Sequence, residues 1–184
     1  MSSGEGKGVH MESRRSETLV MALSNERRER AFYLAQAERT RNRLGRSMFL
    51  RIADDELEHA VRLERIHEEL ARGGAWPEGV ELGLKLGEVG RSLDALVGEL
   101  GQAAGEADAD DLEAVETACR FEAEGERLYA QLAGAASEKR EKAFFELLSS
   151  MEREHFRALK EVEEYLRDPA SYFTVKERHG LDGA

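Results

Sequence analysis

Residues 52–63, IADDELEHAVRL, and residues 148–159, LSSMEREHFRAL, decide the fold of this chain. The first segment places Glu56 and His59 in the middle of an apolar stripe, and the second segment repeats this Glu-x-x-His pattern 96 residues later. Steps of three and four residues trace one face of a helix, so these polar side chains share a face with their apolar neighbours. The two segments therefore predict helices that carry carboxylate and imidazole groups into a core.

The two segments belong to an internal repeat. A shift of 96 residues aligns many identical residues without a gap, among them Glu26 with Glu122, Tyr33 with Tyr129, Phe49 with Phe145, Glu56 with Glu152, Glu58 with Glu154, His59 with His155, and Leu63 with Leu159. Two copies favour a pair of similar helical hairpins that face each other, because a solenoid needs more copies. Simple amphipathic periodicity does not predict identical polar residues at core positions.

The composition and the hydrophobic spacing predict an all-α protein. Of the 184 residues, 41% are apolar and 35% charged, and only two are proline, which is typical of long amphipathic helices. A glycine-punctuated crossover, with a short helix at about 85–100, joins the two hairpins. The predicted helices span about 16–41, 44–72, 110–136 and 137–167.

These elements predict one domain at 16–167, preceded by a disordered leader at 1–15. We expect an irregular tail at 168–184, because Pro169 stops the last helix. Three aromatic residues are interpreted as apolar plugs over the ends of the bundle: Trp76, Tyr172 and Phe173.

Composition excludes several classes of function. A net charge of −11 argues against binding to nucleic acid, whose phosphates would be repelled. No stretch approaches the roughly 20 apolar residues of a membrane span, and the N-terminus has no signal-peptide core. The single cysteine, Cys119, excludes a disulfide framework and makes the cytoplasm the expected location. Cys119 itself is interpreted as a small core residue, with a redox thiol as the alternative.

The glutamates of each hairpin are predicted to lie at one level. Glu26 and Glu56 are 30 residues apart, as are Glu122 and Glu152. A turn midway leaves about 15 residues, roughly 22 Å of helix, on each arm, so the chain returns to its starting height. Antiparallel neighbours would then bring their carboxylates face to face.

Such a cluster requires compensating positive charge. Buried carboxylates repel one another or hold protons, whereas bound divalent cations remove the difficulty. One Glu from each of two helices and Glu-x-x-His from the other two is a pattern of two-metal helical bundles, and this ligand set suits iron or manganese. The predicted ligands are Glu26, Glu56, His59, Glu122, Glu152 and His155. The alternatives are surface glutamates on misregistered helices and ordinary core histidines.

A family resemblance supports this interpretation. Residues 25–66 and 120–162 resemble the two halves of a rubrerythrin-type ferritin-like domain, and the resemblance covers about 16–167. It implies a ferritin-like four-helix bundle with two iron ions (manganese or mixed metals being alternatives) that reacts with hydrogen peroxide or dioxygen. Tyr33 and Tyr129 would be hydrogen-bonded to ligand carboxylates, with plain packing as the alternative.

Two departures from the family stand out. Rubrerythrin carries paired CxxC motifs in a rubredoxin module, which this sequence lacks, so we expect an external electron donor such as a rubredoxin-like protein. Rubrerythrin also has an additional carboxylate in its second half, where this chain has Gly125. Glu29 supplies one in the first half instead. Glu29 is a candidate proton shuttle, although ordinary burial statistics favour a position in water.

The leading hypothesis is a di-iron oxidoreductase that reduces peroxide or reacts with dioxygen. Iron handling is the alternative, as a ferroxidase or storage protein without substrate turnover, and a scaffold with a structural metal is a third reading. We expect a homodimer without nucleic-acid or membrane partners. The sequence leaves open the metal, the electron donor and the choice between these activities.

Overall fold

The computed structural model describes the backbone of residues 5–73, 76, 95–98 and 107–172, and the side chains in these ranges from Arg15 onward. It contains four long helices, α1 (Glu5–Arg39), α2 (Arg43–Gly73), α3 (Ala109–Ala135) and α4 (Lys139–Arg167). This confirms the predicted all-α ferritin-like helical bundle. The helix ends agree with the predicted ones within about two residues, except at the start of α1.

The start and the tail of the chain differ from the sequence-based expectation. α1 begins at Glu5, so the backbone of residues 5–15 is helical where a disordered leader was expected. Extending an existing helix costs far less than starting one, and no proline interrupts this segment. After α4, residues 169–172 form a further helical turn. Pro169 is tolerated there because the first turn of a helix leaves its N–H groups without partners in any case.

Asp168 caps this extra turn. Its side chain accepts a hydrogen bond from the Ser171 backbone N–H at 3.0 Å, and its carbonyl accepts one from Tyr172 at 3.0 Å. Tyr172 is buried and packs edge-on against Tyr165, with 5.7 Å between ring centroids. Tyr172 therefore covers one end of the bundle, as predicted, whereas Phe173 lies outside the described residues.

Part of the crossover is described. Residues 95–98 are helical, within the predicted short helix. Trp76 is buried against Phe144 and Phe145, with ring centroids at 5.7 and 6.2 Å, as expected of a plug. The remainder of the predicted crossover lies outside the described residues.

The helices pair as two antiparallel hairpins, α1 with α2 and α3 with α4. Arg27 of α1 donates to Glu64 of α2 at 2.9 Å, and Asn42 closes the turn by accepting from the N–H groups of Leu44 and Gly45, each at 3.0 Å. This cap satisfies the free N–H groups at the start of α2.

The start of α3 is tied to the first hairpin. Asp108 and Asp111 form a reciprocal capping box, in which each side chain accepts from the other residue's backbone N–H. Asp111 also lies 3.3 Å from the backbone nitrogen of Arg41, in the turn between α1 and α2. The caps therefore fix the height of one hairpin relative to the other.

The apolar core has two parts. One cluster includes Met48, Ile52 and Leu159, and the other includes Leu63, Phe145 and Leu148. Between them along the helices lies a layer of buried glutamate and histidine side chains. None of the described helices combines the length and the apolar character that a bilayer span requires.

Candidate metal centre

The six predicted ligands all lie in this buried layer. Each of them has 0% of its surface exposed, so the alternative of surface glutamates on misregistered helices is wrong. Each helix contributes at the same height because the repeat places its polar residue on the core-facing stripe. The six residues are Glu26 on α1, Glu56 and His59 on α2, Glu122 on α3, and Glu152 and His155 on α4.

His59 lies at one end of the cluster. Its Nδ1 atom is 2.8 Å from Glu26 Oε2 and 3.1 Å from Glu56 Oε2. The same nitrogen lies 4.0 Å from Glu152 Oε1. Three carboxylates from three helices therefore converge on one imidazole nitrogen.

His155 occupies the matching position in the second hairpin. Its Nδ1 atom is 3.1 Å from Glu56 Oε1 and 3.3 Å from Glu122 Oε2. The rings of His59 and His155 are nearly parallel, with 5.8 Å between centroids and 18° between planes. The two histidines thus occupy matching positions, one in each hairpin.

Two groups of potential ligands follow from these positions. In each group one atom from every residue lies within 4.8 Å of the others. Glu56 and Glu152 are common to both groups, which is the placement expected of bridging carboxylates. The first group adds Glu26 and His59, and the second adds Glu122 and His155.

The two buried tyrosines link the hairpins. The Tyr33 hydroxyl donates to Glu122, and the Tyr129 hydroxyl donates to Glu26. Each tyrosine therefore holds a carboxylate of the opposite hairpin. Burial and the charge of Glu122 raise the pKa of Tyr33 well above its usual value, so its hydroxyl keeps the proton that it donates. These contacts favour the specific role over plain packing.

Glu29 is fully buried, with 0% of its surface exposed. The alternative that placed it in water is therefore wrong. Burial raises the pKa of Glu29 most, and the charges of Glu56 and Glu122 raise it further. Asn25 and Arg28 offset this only in part. Glu29 is thus a fifth buried glutamate at the cluster, and its carboxyl favours the protonated form.

The buried glutamates of the cluster carry more negative charge than its two histidines can balance. Burial and neighbouring glutamates raise the pKa values of Glu26 and Glu152 well above the usual range. Burial acts in the same direction on Glu56, but the charges of His59 and His155 outweigh it and hold its pKa below the usual range. Glu56 is therefore the readily ionised carboxylate, whereas the neighbouring Glu26 and Glu152 resist ionisation.

The donor set fits bound cations. Within the described residues, no hydrogen bond of good geometry reaches either carboxylate oxygen of Glu29 or Glu152. Buried polar atoms without partners are rare, and a cation would satisfy them while removing the repulsion between the carboxylates. The site is therefore of the metal-binding type, and its mixture of oxygen and imidazole donors suits iron or manganese.

Gly125 explains where the side chain of Glu152 lies. A Cβ atom at Gly125 would lie 3.1 Å from Glu152 Cδ and 3.1 Å from Glu152 Oε2. The glutamate carboxylate therefore uses the space that a side chain on α3 would fill. The repeat pairs Gly125 with Glu29, so the two halves of the site differ at this position.

Sequence reasoning missed Asp55. Its Oδ2 atom lies 3.5 Å from Nε2 of His155, on the side of the ring away from the cluster. A carboxylate at the outer nitrogen orients a ligand histidine and raises its basicity. Burial alone would lower the pKa of His155, but Glu122, Asp55 and Glu56 raise it well above the usual value. The repeat gave no signal, because the position equivalent to Asp55 is Met151.

Cys119 takes no part in the cluster contacts described above. It is buried, and burial raises its pKa to about 11. The thiol is therefore protonated at neutral pH, which supports the interpretation as a small core residue over that of a redox thiol.

Among known proteins, the model of the rubrerythrin family matches residues 17–79. The matched residues contain most of the first hairpin, with Glu26, Glu56 and His59 among them. The match is consistent with the predicted rubrerythrin-type ferritin-like domain over the first hairpin. The second hairpin lies outside the matched residues and is related to the first by the internal repeat. No curated protein and no solved structure shows significant similarity to the chain.

Proposed function

We propose that this rubrerythrin-type domain binds two iron ions and reduces hydrogen peroxide with electrons from an external donor. The observation that carries the proposal is the pair of ligand groups that share Glu56 and Glu152. Glu56 and Glu152 would each contribute to holding both metal ions, and the ions would supply the redox chemistry of peroxide reduction. Manganese or a mixed pair would use the same donors.

The reaction consumes two electrons and two protons for each peroxide converted into two waters. When bound, the iron ions would supply the electrons. The single cysteine cannot form a rubredoxin centre, so these electrons come from a donor outside the 184 residues, such as a rubredoxin-like protein.

Side chains of the protein would supply the protons that the reaction consumes. Glu29 favours its protonated form beside the cluster and is the residue to which we assign proton delivery. Tyr33 and Tyr129 each hold one carboxylate oxygen, which leaves the other oxygen of that carboxylate for the metal. The apolar clusters above and below the layer exclude bulk water.

Metal analysis of anaerobically purified protein tests the site. We expect two metal ions per chain in the parent, and loss of at least one in Glu122→Ala with helicity retained. Glu124→Ala is the matched control, because Glu124 lies two residues away on α3 and is exposed. Equal metal content in Glu122→Ala and in the parent contradicts the assignment.

Mixing the reduced, iron-loaded protein with peroxide tests the activity. We expect it to be oxidised faster by hydrogen peroxide than by dioxygen. A reduced site that is inert to peroxide and quick with dioxygen would point to ferroxidase chemistry instead. Gel filtration then separates a small enzyme from a storage cage, which requires many subunits.

A further inference from the structure

A row of buried polar atoms leads from the cluster towards the surface between α1 and α3. Glu29 is fully buried, and neither of its carboxylate oxygens has a hydrogen bond of good geometry within the described residues. Asn25 lies one helical turn before it on the same face of α1, and its Nδ2 atom is likewise buried without such a partner. Asn25 as a whole is only half-buried, so the row extends from the ligand layer to the surface.

The amide of Asn25 and the carboxyl of Glu29 are close to each other but are not joined. Burial raises the pKa of Glu29 most, and the amide of Asn25 lowers it in part. The amide therefore acts on the carboxyl, although no hydrogen bond of good geometry links the two side chains. Three buried polar atoms that lack partners are a setting in which proteins bind a small hydrogen-bonding molecule such as water.

Arg28 covers the outer end of this row. Its exposed guanidinium group donates from Nη2 to Asn25 Oδ1 at 2.8 Å, and its Cζ atom lies 5.5 Å from the ring centroid of Phe121 on α3. Arg28 therefore bridges the two helices and fixes the amide with Oδ1 towards the surface and Nδ2 in the interior. Contacts of this kind are individually weak at an exposed site, so the side chain can leave and return while the bundle stays packed.

Two aromatic rings line the same place between the helices. Phe32 of α1 lies one helical turn beyond Arg28, and its ring meets Phe121 edge-on with 4.7 Å between centroids and 62° between planes. Both rings are half-buried. They close the space between α1 and α3 on one side of the polar row and therefore limit its width.

The internal repeat distinguishes this row from an ordinary helix surface. A shift of 96 residues pairs Asn25 with Phe121, Arg28 with Glu124, and Glu29 with Gly125. The second hairpin thus has a ring in place of the amide and no side chain in place of the inner carboxyl. Since each hairpin supplies three of the six predicted ligands, the ligand set does not require the row. A different role for the row follows.

We propose that the row formed by Asn25, Arg28 and Glu29 is the route by which water and hydrogen peroxide reach the cluster. The amide and the carboxyl offer hydrogen bonds that replace those which a small polar molecule loses on leaving water. Arg28 closes the outer end, and Phe32 and Phe121 set a width that excludes larger organic hydroperoxides. The passage of peroxide rests on the proposed function, whereas the route itself does not.

The rates at which azide binds to and leaves the diferric protein test the route. A change confined to the route alters both rates by one factor and leaves the dissociation constant unchanged, whereas a change in the site alters the constant. We expect Asn25→Leu, which replaces the amide by an apolar group of similar size, to slow both rates about tenfold. Arg28→Ala should accelerate both about two- to fivefold.

Glu124→Ala is the matched control, because Glu124 is exposed at the position of the second hairpin that is equivalent to Arg28. It should change neither rate. Circular dichroism and metal content establish that each variant is folded and loaded, and Arg28→Ala alone decides the test if Asn25→Leu loses metal. Parent rates in the variants, an altered dissociation constant in both, or a diferric parent that binds no azide each overturn the proposal.

A larger oxidant tests the width of the route. Phe121→Ala should accelerate oxidation of the reduced, iron-loaded protein by tert-butyl hydroperoxide more than oxidation by hydrogen peroxide. Phe156→Ala, which truncates a half-buried ring on α4, should favour neither oxidant. Equal effects of Phe121→Ala on both oxidants overturn the role of the rings.

The two measurements also separate the route from the proposed function. A protein whose azide rates respond as expected but which does not reduce peroxide supports the route and contradicts the function. A protein that reduces peroxide while its azide rates are the same in Asn25→Leu, Arg28→Ala and the parent supports the function and overturns the route.

Discussion

Glu29 lies on the buried stripe of α1, one helical turn from Glu26. The sequence contained a signal for this position, because Glu26, Glu29 and Tyr33 follow one another at helical spacing on one face, while Arg27, Arg28 and Arg30 of the same run lie elsewhere. Burial statistics for glutamate argued against a buried Glu29. Those statistics average over proteins in which no cation is available to compensate the charge. The periodicity of the helix was the better guide here.

Replacing Glu29 by Gln should separate its two effects. The amide keeps the shape but removes a buried carboxyl that must either hold a proton or be repelled by Glu56 and Glu122. We expect the free energy of unfolding of the metal-free protein to rise by about 1 kcal/mol, a common size for single substitutions. Peroxide turnover of the iron-loaded protein should fall, and its spectrum should change. Denaturant unfolding, spectroscopy and turnover measure these effects.

Glu38→Gln is the matched control for this substitution, since Glu38 is exposed on the same helix. It should change neither turnover nor the spectrum. If Glu29→Gln leaves both at the parent values, Glu29 is a structural residue and the site uses the six predicted ligands alone.

Helix α3 has a glycine where it packs against the side chain of Glu152. Gly125 leaves room for that carboxylate, because a Cβ atom added at Gly125 would lie only 3.1 Å from Glu152 Oε2. The substitution Gly125→Ala should displace the carboxylate by a few tenths of an ångström, since a Cβ atom does not tolerate so close a contact. Alanine also favours helix over glycine by up to about 1 kcal/mol. We therefore expect weaker metal binding without a loss of metal-free stability.

Gly134→Ala provides the comparison, because nothing lies within 4 Å of a Cβ at that position of α3. Titration with a competing chelator should give lower metal affinity for Gly125→Ala alone. Unchanged affinity in both variants would show that Glu152 adjusts at no cost.

Helices α2 and α4, which each carry Glu-x-x-His, differ in the group that lies near the outer ring nitrogen of the histidine. Oδ2 of Asp55 on α2 lies 3.5 Å from the outer nitrogen of His155, although within the described residues neither His155 nor His59 makes a hydrogen bond of good geometry through Nε2. We expect Asp55→Asn to weaken metal binding about 10- to 100-fold, the usual effect of losing a carboxylate behind a ligand histidine. Asp54→Asn, at the exposed neighbouring position, should have no effect. Chelator competition measures the metal affinity of both variants. If Asp55→Asn binds metal as tightly as the parent does, Asp55 serves only the surface ion pair with Arg51.

At the level of helices, the sequence predicted four amphipathic elements and most of their ends. The start of α1 was missed because the sequence before Ser16 carries no apolar stripe, which leaves no hydrophobic periodicity to detect. Asp55 was missed for a related reason. A contact between hairpins depends on how the bundle closes, and a repeat reports only what its two copies share.

At the scale of the whole bundle, the described helices enclose a layer of buried glutamate and histidine side chains between two apolar clusters. This arrangement was predictable, because identical polar residues recurred on core-facing stripes at one height. The protonation state of these side chains could not be predicted from the sequence, since it depends on distances between side chains of all four helices. Without metal, this layer should make the stability of the fold depend strongly on pH.

The direction of that dependence follows from the pKa shifts. Glu26, Glu29 and Glu152 have folded pKa values raised above the ordinary 4.5, so their contribution to stability is complete below about pH 4.5 and is lost as pH rises through the folded values. The raised pKa of His155 acts in the same sense, with stability present below its ordinary 6.5 and lost above the folded value. Glu56 acts oppositely, but only as pH falls below 4.5.

We therefore expect the free energy of unfolding of the metal-free protein to decline as pH rises from about 5 to about 8. Bound metal supplies the missing positive charge, so the metal-loaded protein should show a much flatter profile over the same range. Glu152→Gln should flatten the metal-free profile, because it removes one carboxyl that must otherwise ionise in the core. Denaturant unfolding at a series of pH values, with and without chelator, measures all three curves. A metal-free protein whose stability rises over this range would mean that the cluster ionises freely, and the argument for bound cations would lose its electrostatic basis.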